Sequence, residues 1–414
     1  MNKFAFLFPG QGTQFIQMGK YFYEQYIIAR QTFEEASEVT GQNVAQLCFN
    51  GTFSQINQFA NMQIAIVTIE TAIFRAYMED YGIPPHFLVG HSIGEYAALV
   101  CSGAIEFSDC MKILMKRGDL VNKVLNEHEG RMTIMENTTE EKLRDIINSA
   151  GLTDKVSIAC YNSYSQYAVS GNNDAMEVLE NEVVTKNVIM TPLLQSPPMH
   201  SQLMKTIYEE FRKFLNEFHF HNFQYPVISN LTGKPLTNER KIAEVLSEHL
   251  VRPVQFAKSI EYILNFGVDS IIEMSPKILL TLFVNDIAPD VNTFCFGLEK
   301  DRERLHILFH EDPNYVKDMP NFLGDCLCLL ASTPNNNPNN NNQRVVDIYN
   351  NLKREYLNTN QDRFNRSDAY YIQTLKLIVE ALRTKCVDEK EIQEGVRAIL
   401  NHNNKMYIYN GYFD

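Results

Sequence analysis

No stretch of the chain approaches the roughly 18 consecutive apolar residues that a membrane-crossing helix requires, which argues against a helical membrane protein. Positive charge is in short supply as well. With 37 Lys and Arg against 50 Asp and Glu the formal net charge is −13, a balance that repels nucleic acid. The eight cysteines (Cys48, Cys101, Cys110, Cys160, Cys295, Cys326, Cys328 and Cys386) lack any framework spacing and fall mostly within apolar runs. They are expected to be reduced core thiols in a reducing compartment. Cys326 and Cys328 are two apart with no second pair, too close for the usual zinc spacing, so no metal is expected. The apolar start Met1–Phe8 is broken by Pro9-Gly10-Gln11-Gly12, too early for a signal peptide or anchor, and reads as a buried first strand. A cytoplasmic protein is the expectation.

What is present is ordinary globular material, 45% hydrophobic and 21% charged, over 414 residues. That length suits one large domain carrying an insertion or appendage. Residues 1–125 alternate short apolar runs with helical patterns. Phe4–Phe8 is followed by Met62–Met78, where Ile64, Ile66, Val67, Ile69, Ile73 and Phe74 recur on a face; then come the strand Phe87–Val89 and a helix over Ile93–Val100 stopped near Gly103. Such alternation indicates an α/β unit with a parallel sheet. Residues 129–195 change texture to β-α-β-β-α-β, the ferredoxin-like order, and read as a small subdomain inserted between 1–128 and 196–300. Beyond 300 the chain predicts a helical extension, 301–414, with helices over Val345–Leu357, Tyr370–Leu382 and Glu389–Leu400. The Asn-rich segment 333–343 has nothing apolar to bury and is expected to be a flexible loop.

Gly90-His91-Ser92-Ile93-Gly94 fits G-x-S-x-G and lies between a predicted strand and a predicted helix, where that motif works. The tight turn projects the Ser92 hydroxyl, while the Ile93 N–H and the following helix N-terminus face a developing oxyanion. A serine hydroxyl needs a base, and ten histidines are candidates. His200, in Ser196-Pro197-Pro198-Met199-His200-Ser201, stands on a proline-stiffened turn after an apolar run, although a lone histidine is more often structural.

Phe8-Pro9-Gly10-Gln11-Gly12-Thr13-Gln14, Gly90-His91-Ser92-Ile93-Gly94-Glu95-Tyr96 and Pro198-Met199-His200-Ser201, in this order and spacing, resemble the malonyl-CoA:acyl carrier protein transacylase family. The resemblance covers residues 1–300. It implies an α/β-hydrolase-like large subdomain with an inserted ferredoxin-like one. It implies Ser92 as nucleophile, His200 as base, and the backbone N–H groups of Gln11 and Ile93 as the oxyanion hole. Gly10 and Gly12 would let that backbone approach closely. Arg117 matches the family's arginine that grips the substrate carboxylate, a task for a bidentate guanidinium. Asn162 falls at a family motif lining the acyl pocket, and His91 of the elbow is a further pocket or orienting candidate. Where many members place a glutamine to orient the base, this chain has His249. Pro198-Met199 matches neither the usual malonyl nor the methylmalonyl signature.

The implied reaction is a ping-pong transfer from malonyl-CoA to the phosphopantetheine thiol of an acyl carrier protein, with no resident cofactor. The implied partners are that carrier, of a polyketide or fatty acid synthase, and the coenzyme A thioester, the enzyme itself being a monomer. Lys112, Lys116, Arg131, Arg252 and Lys258 are candidates for local positive charge toward phosphates and an acidic carrier. A chain of this fold with a helical extension most resembles free-standing acyltransferases acting in trans for polyketide synthases. The alternatives are a housekeeping fatty-acid enzyme, an acyl hydrolase of the same fold and a non-catalytic docking protein.

Overall fold

Strand β1 (Phe4–Phe8) is five apolar residues, all buried, as a strand covered on both faces requires. In the computed structural model, which describes residues 3–127, 129–193, 196–311, 322–338, 343–358 and 368–403, β1 is the centre of a five-stranded parallel sheet. The others are β2 (Phe87–Gly90), β7 (Val227–Ile228), β8 (Ser270–Glu273) and β9 (Asn292–Cys295), in the order β7-β2-β1-β8-β9. Phe8 pairs with Gly90, so β1 and β2 end side by side. The loops that follow them, Pro9–Gly12 and the elbow at Ser92, therefore leave the same carboxyl edge of the sheet, where open α/β sheets place their ligands. The helix Phe59–Asp80 is longer than the sequence pattern predicts. The helices Lys20–Gln25, Ile27–Thr40, Val44–Asn50 and Phe53–Asn57 were not predicted as elements; each is short or weakly patterned.

The small subdomain is built from β3 (Gly130–Glu136), β4 (Val156–Tyr161), β5 (Gln166–Asn172) and β6 (Ile189–Pro192), antiparallel in the order β4-β5-β3-β6. That is the ferredoxin-like arrangement. Its helices, Glu140–Ser149 and Asn173–Val184, are N-capped by the side chains of Thr139 and Asn172 and pack Leu143, Ile147, Met176 and Leu179 into one core. Two seams fix it to the large subdomain. The Tyr161 N–H donates to the Val254 carbonyl at 2.8 Å, and Ser165 donates through its N–H and hydroxyl to the Asp286 carboxylate at 3.1 and 2.9 Å.

The chain divides into two compact units, Met1–Ala76 with Pro84–Leu308, and Tyr77–Ile83 with Phe309–Asp414. The sequence reading puts the break at 300; it falls at 308 because the helix Glu299–Glu311 begins by packing with the first unit. There Leu305 is fully buried and the Asp301 carboxylate accepts from the Cys295 N–H at 2.9 Å. The second unit carries the helices Phe322–Ser332, Gln343–Asn358, Asp368–Thr384 and Glu389–His402. Leu375, Ile378, Leu382, Ile392, Val396 and Leu400 lie in its core, and Tyr81 packs edge-on against Phe309 at 5.0 Å. Helix Phe322–Ser332 was not foreseen.

Of the Asn-rich segment expected to be flexible, residues 339–342 lie outside the described residues. Its earlier part is tied down: the Asn336 N–H donates to the Lys385 carbonyl at 2.8 Å and Asn337 Nδ2 to the Thr384 carbonyl at 2.9 Å. Six of the eight thiols are buried, but Cys328 and Cys386 are exposed, which departs from the expectation of core thiols throughout. Among the described residues no helix is long and apolar enough to cross a membrane.

Candidate active site

The turn after β2 works only because of its glycines. A Cβ on Gly90 would sit 2.2 Å from the Glu95 nitrogen and one on Gly94 only 1.9 Å from the Phe8 carbonyl oxygen, so the elbow presses directly on the end of β1. Between them Ser92 is held at φ 52°, a left-handed conformation costly for a side chain with a Cβ. Asn230, just after β7, secures it. Its Oδ1 accepts from the Ser92 N–H at 2.8 Å and its Nδ2 donates to the Gly90 carbonyl at 2.9 Å.

Ser92 Oγ lies 2.8 Å from His200 Nε2 across 108 positions of sequence. His200 Nδ1 lies 2.7 Å from the main-chain carbonyl of His249. A carbonyl only accepts, so Nδ1 carries the hydrogen and Nε2 is left as the acceptor for the serine proton. Burial, reinforced by the charge of Arg117, pulls His200 down to about 3, so the imidazole is neutral at pH 7. His249 thus meets His200 through its backbone, not its imidazole. Its ring stands beside that of His200 at 4.6 Å.

The remaining predicted residues surround one cavity of about 460 Å³ that also holds Ser92 and His200. Gln11 and Ile93 line it, and neither backbone N–H meets a protein acceptor among the described residues. Two open donors beside a hydroxyl–imidazole pair are what an oxyanion hole needs. Arg117 lines the same cavity. It is almost completely buried, donates to the Gln63 Oε1, and lies over the rings of Phe59 and Tyr96 at 5.3 and 5.6 Å. Its Nε has no hydrogen-bond partner and no carboxylate pairs with it among the described residues. Removing a guanidinium from water without a counter-anion is costly, and burial lowers its pKa accordingly. On the opposite wall His91 Nε2 meets Asn162 Oδ1 at 2.7 Å; Asn162 Nδ2 donates to Gln166 at 2.8 Å, and Gln166 Nε2 to Glu136 at 2.7 Å. This chain links the two subdomains across the cavity.

The five proposed surface cations line no part of it. Lys112, Lys116, Arg131 and Arg252 are each paired with a carboxylate, of Asp109, Glu210, Glu180 and Glu248 respectively, and Lys258 is exposed. Gln63, Asn230 and a buried Glu95 belong to the site but were not singled out from the sequence. The readable signal for two of them was a polar side chain interrupting an apolar helix, Gln63 within Met62–Val67 and Glu95 within Ile93–Val100. Asn230 gave none.

Residues 5–294 match the family model described as "Acyl transferase domain". A malonyl CoA-acyl carrier protein transacylase of Bacillus subtilis is 37% identical over 74% of this chain and 76% of its own length, so about a quarter of each chain lies outside the match. The enzyme of that name from Escherichia coli K12 is 32% identical over 68% of this chain and 91% of its own. Among solved structures, the malonyl CoA-acyl carrier protein transacylase of Clostridium perfringens is 31% identical with a TM-score of 0.71, covering 76% of this chain and 99% of that one. A malonyl-transacylase solved with its type II polyketide synthase acyl-carrier protein is 29% identical, with a TM-score of 0.69, over 71% and 96%.

Proposed function

From the premise that the chain belongs to the acyl transferase domain family, we propose that it moves a malonyl group from malonyl-CoA to the phosphopantetheine thiol of an acyl carrier protein through an ester on Ser92. The observation that carries this reading is Arg117, a buried guanidinium with an open Nε in the cavity of the Ser92–His200 pair. An acyl group ending in a carboxylate supplies the missing partner, and a bidentate pair fixes its thioester carbonyl relative to Ser92.

In the acylation step His200 Nε2 takes the Ser92 proton as Oγ attacks the thioester carbon. The oxyanion is received by the N–H groups of Gln11 and Ile93. When the intermediate collapses the C–S bond breaks, and coenzyme A leaves as a thiol with the proton from His200. The carrier's thiol then repeats the sequence in reverse, regenerating Ser92. No resident cofactor takes part.

The finer reading is service in trans to a polyketide synthase, in the cytoplasm. It is supported by the likeness to a transacylase solved with a polyketide carrier and by the helical unit appended to the catalytic one. The test is intact-mass measurement after exposure to malonyl-, methylmalonyl- and acetyl-CoA, followed by transfer to a polyketide and to a fatty acid carrier. A malonyl adduct on Ser92 that passes faster to the polyketide carrier is the expected result. An acetyl adduct that water releases rapidly, with no malonyl transfer, overturns the assignment in favour of a hydrolase; preference for the fatty acid carrier overturns only the pathway.

A further inference from the structure

Glu95 is the first residue beyond the Gly94 of the elbow, fully buried, and takes no part in the transfer steps above. Its two oxygens face different arms of the site. Oε1 accepts from the Asn230 N–H at 3.1 Å, and Asn230 is the residue whose side chain holds both the Ser92 N–H and the Gly90 carbonyl. Oε2 lies 3.6 Å from His249 Nδ1, and His249 is the residue whose carbonyl holds His200 Nδ1. One carboxyl therefore stands where the support of the nucleophile meets the support of the base. Neither Oε2 nor either ring nitrogen of His249 has a hydrogen-bond partner of its own. Among the described residues each is left unbonded, and the two face each other at 3.6 Å.

Resting on the reading of Ser92 and His200 as the transferring pair, we propose that Glu95 is a positioning residue that couples the two arms, holding the Ser92 elbow through Asn230 and the His200 carbonyl acceptor through the His249 imidazole. The carboxyl acts in its protonated form. Closing the 3.6 Å gap by a few tenths of an ångström lets Oε2–H donate to Nδ1 of His249 while Oε1 stays the acceptor for Asn230. Burial supports that state, pushing Glu95 up to about 8 and His249 well below its usual range. The other titratable groups around the pair are His200, His91, Arg117 and Tyr96, and none of them is an anion at neutral pH that would drive the proton elsewhere. The His249 imidazole thereby gains a role that its backbone contact alone does not supply.

The test uses the full chain with Glu95→Gln, Glu95→Ala, His249→Ala and the Glu95→Ala/His249→Ala double variant, reading the rate of malonyl ester formation by intact mass together with steady-state constants. Glutamine preserves the acceptor for Asn230 and a donor for His249, so E95Q is expected within about tenfold of the parent rate. E95A is expected to lose about a hundredfold in kcat with KM for malonyl-CoA changed less than about threefold, since the hydroxyl and imidazole lose register while Arg117 stays in place. The double variant is expected to be no slower than E95A by more than about threefold, the non-additivity of residues acting as one unit. A folded E95A protein that forms the ester at the parent rate, or losses that multiply as for independent sites, overturns the inference. If E95A does not fold, pH decides: the parent kcat/KM profile carries an ionisation near the value of about 8 that E95Q lacks, and superimposable profiles overturn it. A parent protein that forms no ester on Ser92 refutes the proposed function instead.

Discussion

The two compact units bury different things. The second unit fills its centre with Leu375, Ile378, Leu382, Ile392 and Leu400, and among its described residues the buried Lys385 is bonded: Nζ donates to the carbonyls of Leu330 and Thr333 at 2.5 and 2.7 Å. The first unit buries Gln63, Glu70, Glu95, Arg117, His200 and His249, several with polar atoms left unbonded. Unmet polar atoms inside a protein cost stability, typically about 1–3 kcal/mol each. A unit that only has to fold avoids that cost, whereas one that must receive a reacting anion keeps open donors where the anion will sit. The contrast is itself a functional reading, independent of any motif.

The sharpest way to break the contrast is Ser92→Ala. The malonyl adduct disappears and kcat falls by about 10⁴-fold or more, while thermal unfolding hardly moves; the adduct is checked by intact mass. Next is Arg117→Ala, with kcat/KM for malonyl-CoA reduced about 10²–10³-fold, a far smaller change toward acetyl-CoA, and a melting temperature that stays level or rises because an uncompensated buried charge has gone. Calorimetry showing a large loss of stability would place Arg117 in the ordinary core. In the other unit, Leu375→Ala opens a cavity and costs about 2–5 kcal/mol of that unit's stability, with ester formation on Ser92 unchanged.

The smallest effect is in pH dependence. Glu95 has its folded pKa raised to about 8, so the stability it contributes is complete below its unfolded value near 4.3 and is lost as pH rises through 8. His200 has its folded value lowered to about 3, so its contribution is lost instead as pH falls below about 6.5. Between pH 6.5 and 8 Glu95 contributes a decline of up to about 1.4 kcal/mol per pH unit, beside that of Glu70, whose carboxyl burial also pushes well above its usual range. Denaturant melts across that window should show a steeper slope in the parent than in E95Q.

Much of the architecture was legible because it is written in local patterns. The apolar Phe4–Phe8, the G-x-S-x-G turn between strand and helix, and the β-α-β-β-α-β order of the insertion each announce their element within a few residues. Helix Phe322–Ser332 escaped notice because its apolar residues run almost without interruption, which leaves no period to read. Read from its own residues the site is legible only at Ser92; His200, Gln11, Ile93, Arg117 and Asn162 enter through the family resemblance. His200 is one histidine among ten until the fold carries it to 2.8 Å, and nothing near Asn230 or His249 in sequence hints that both reach Glu95. Contacts between distant segments leave no spacing, and these are the contacts that set the chemistry.

Arg117 does more than bind if its charge is followed to His200. The imidazole is held a poor base partly by this cation. A carboxylate on the guanidinium offsets that repulsion, while burial, the larger cause, keeps its hold on the ring. The charge that would hold an acyl carboxylate therefore also bears on the proton affinity of the neighbouring imidazole.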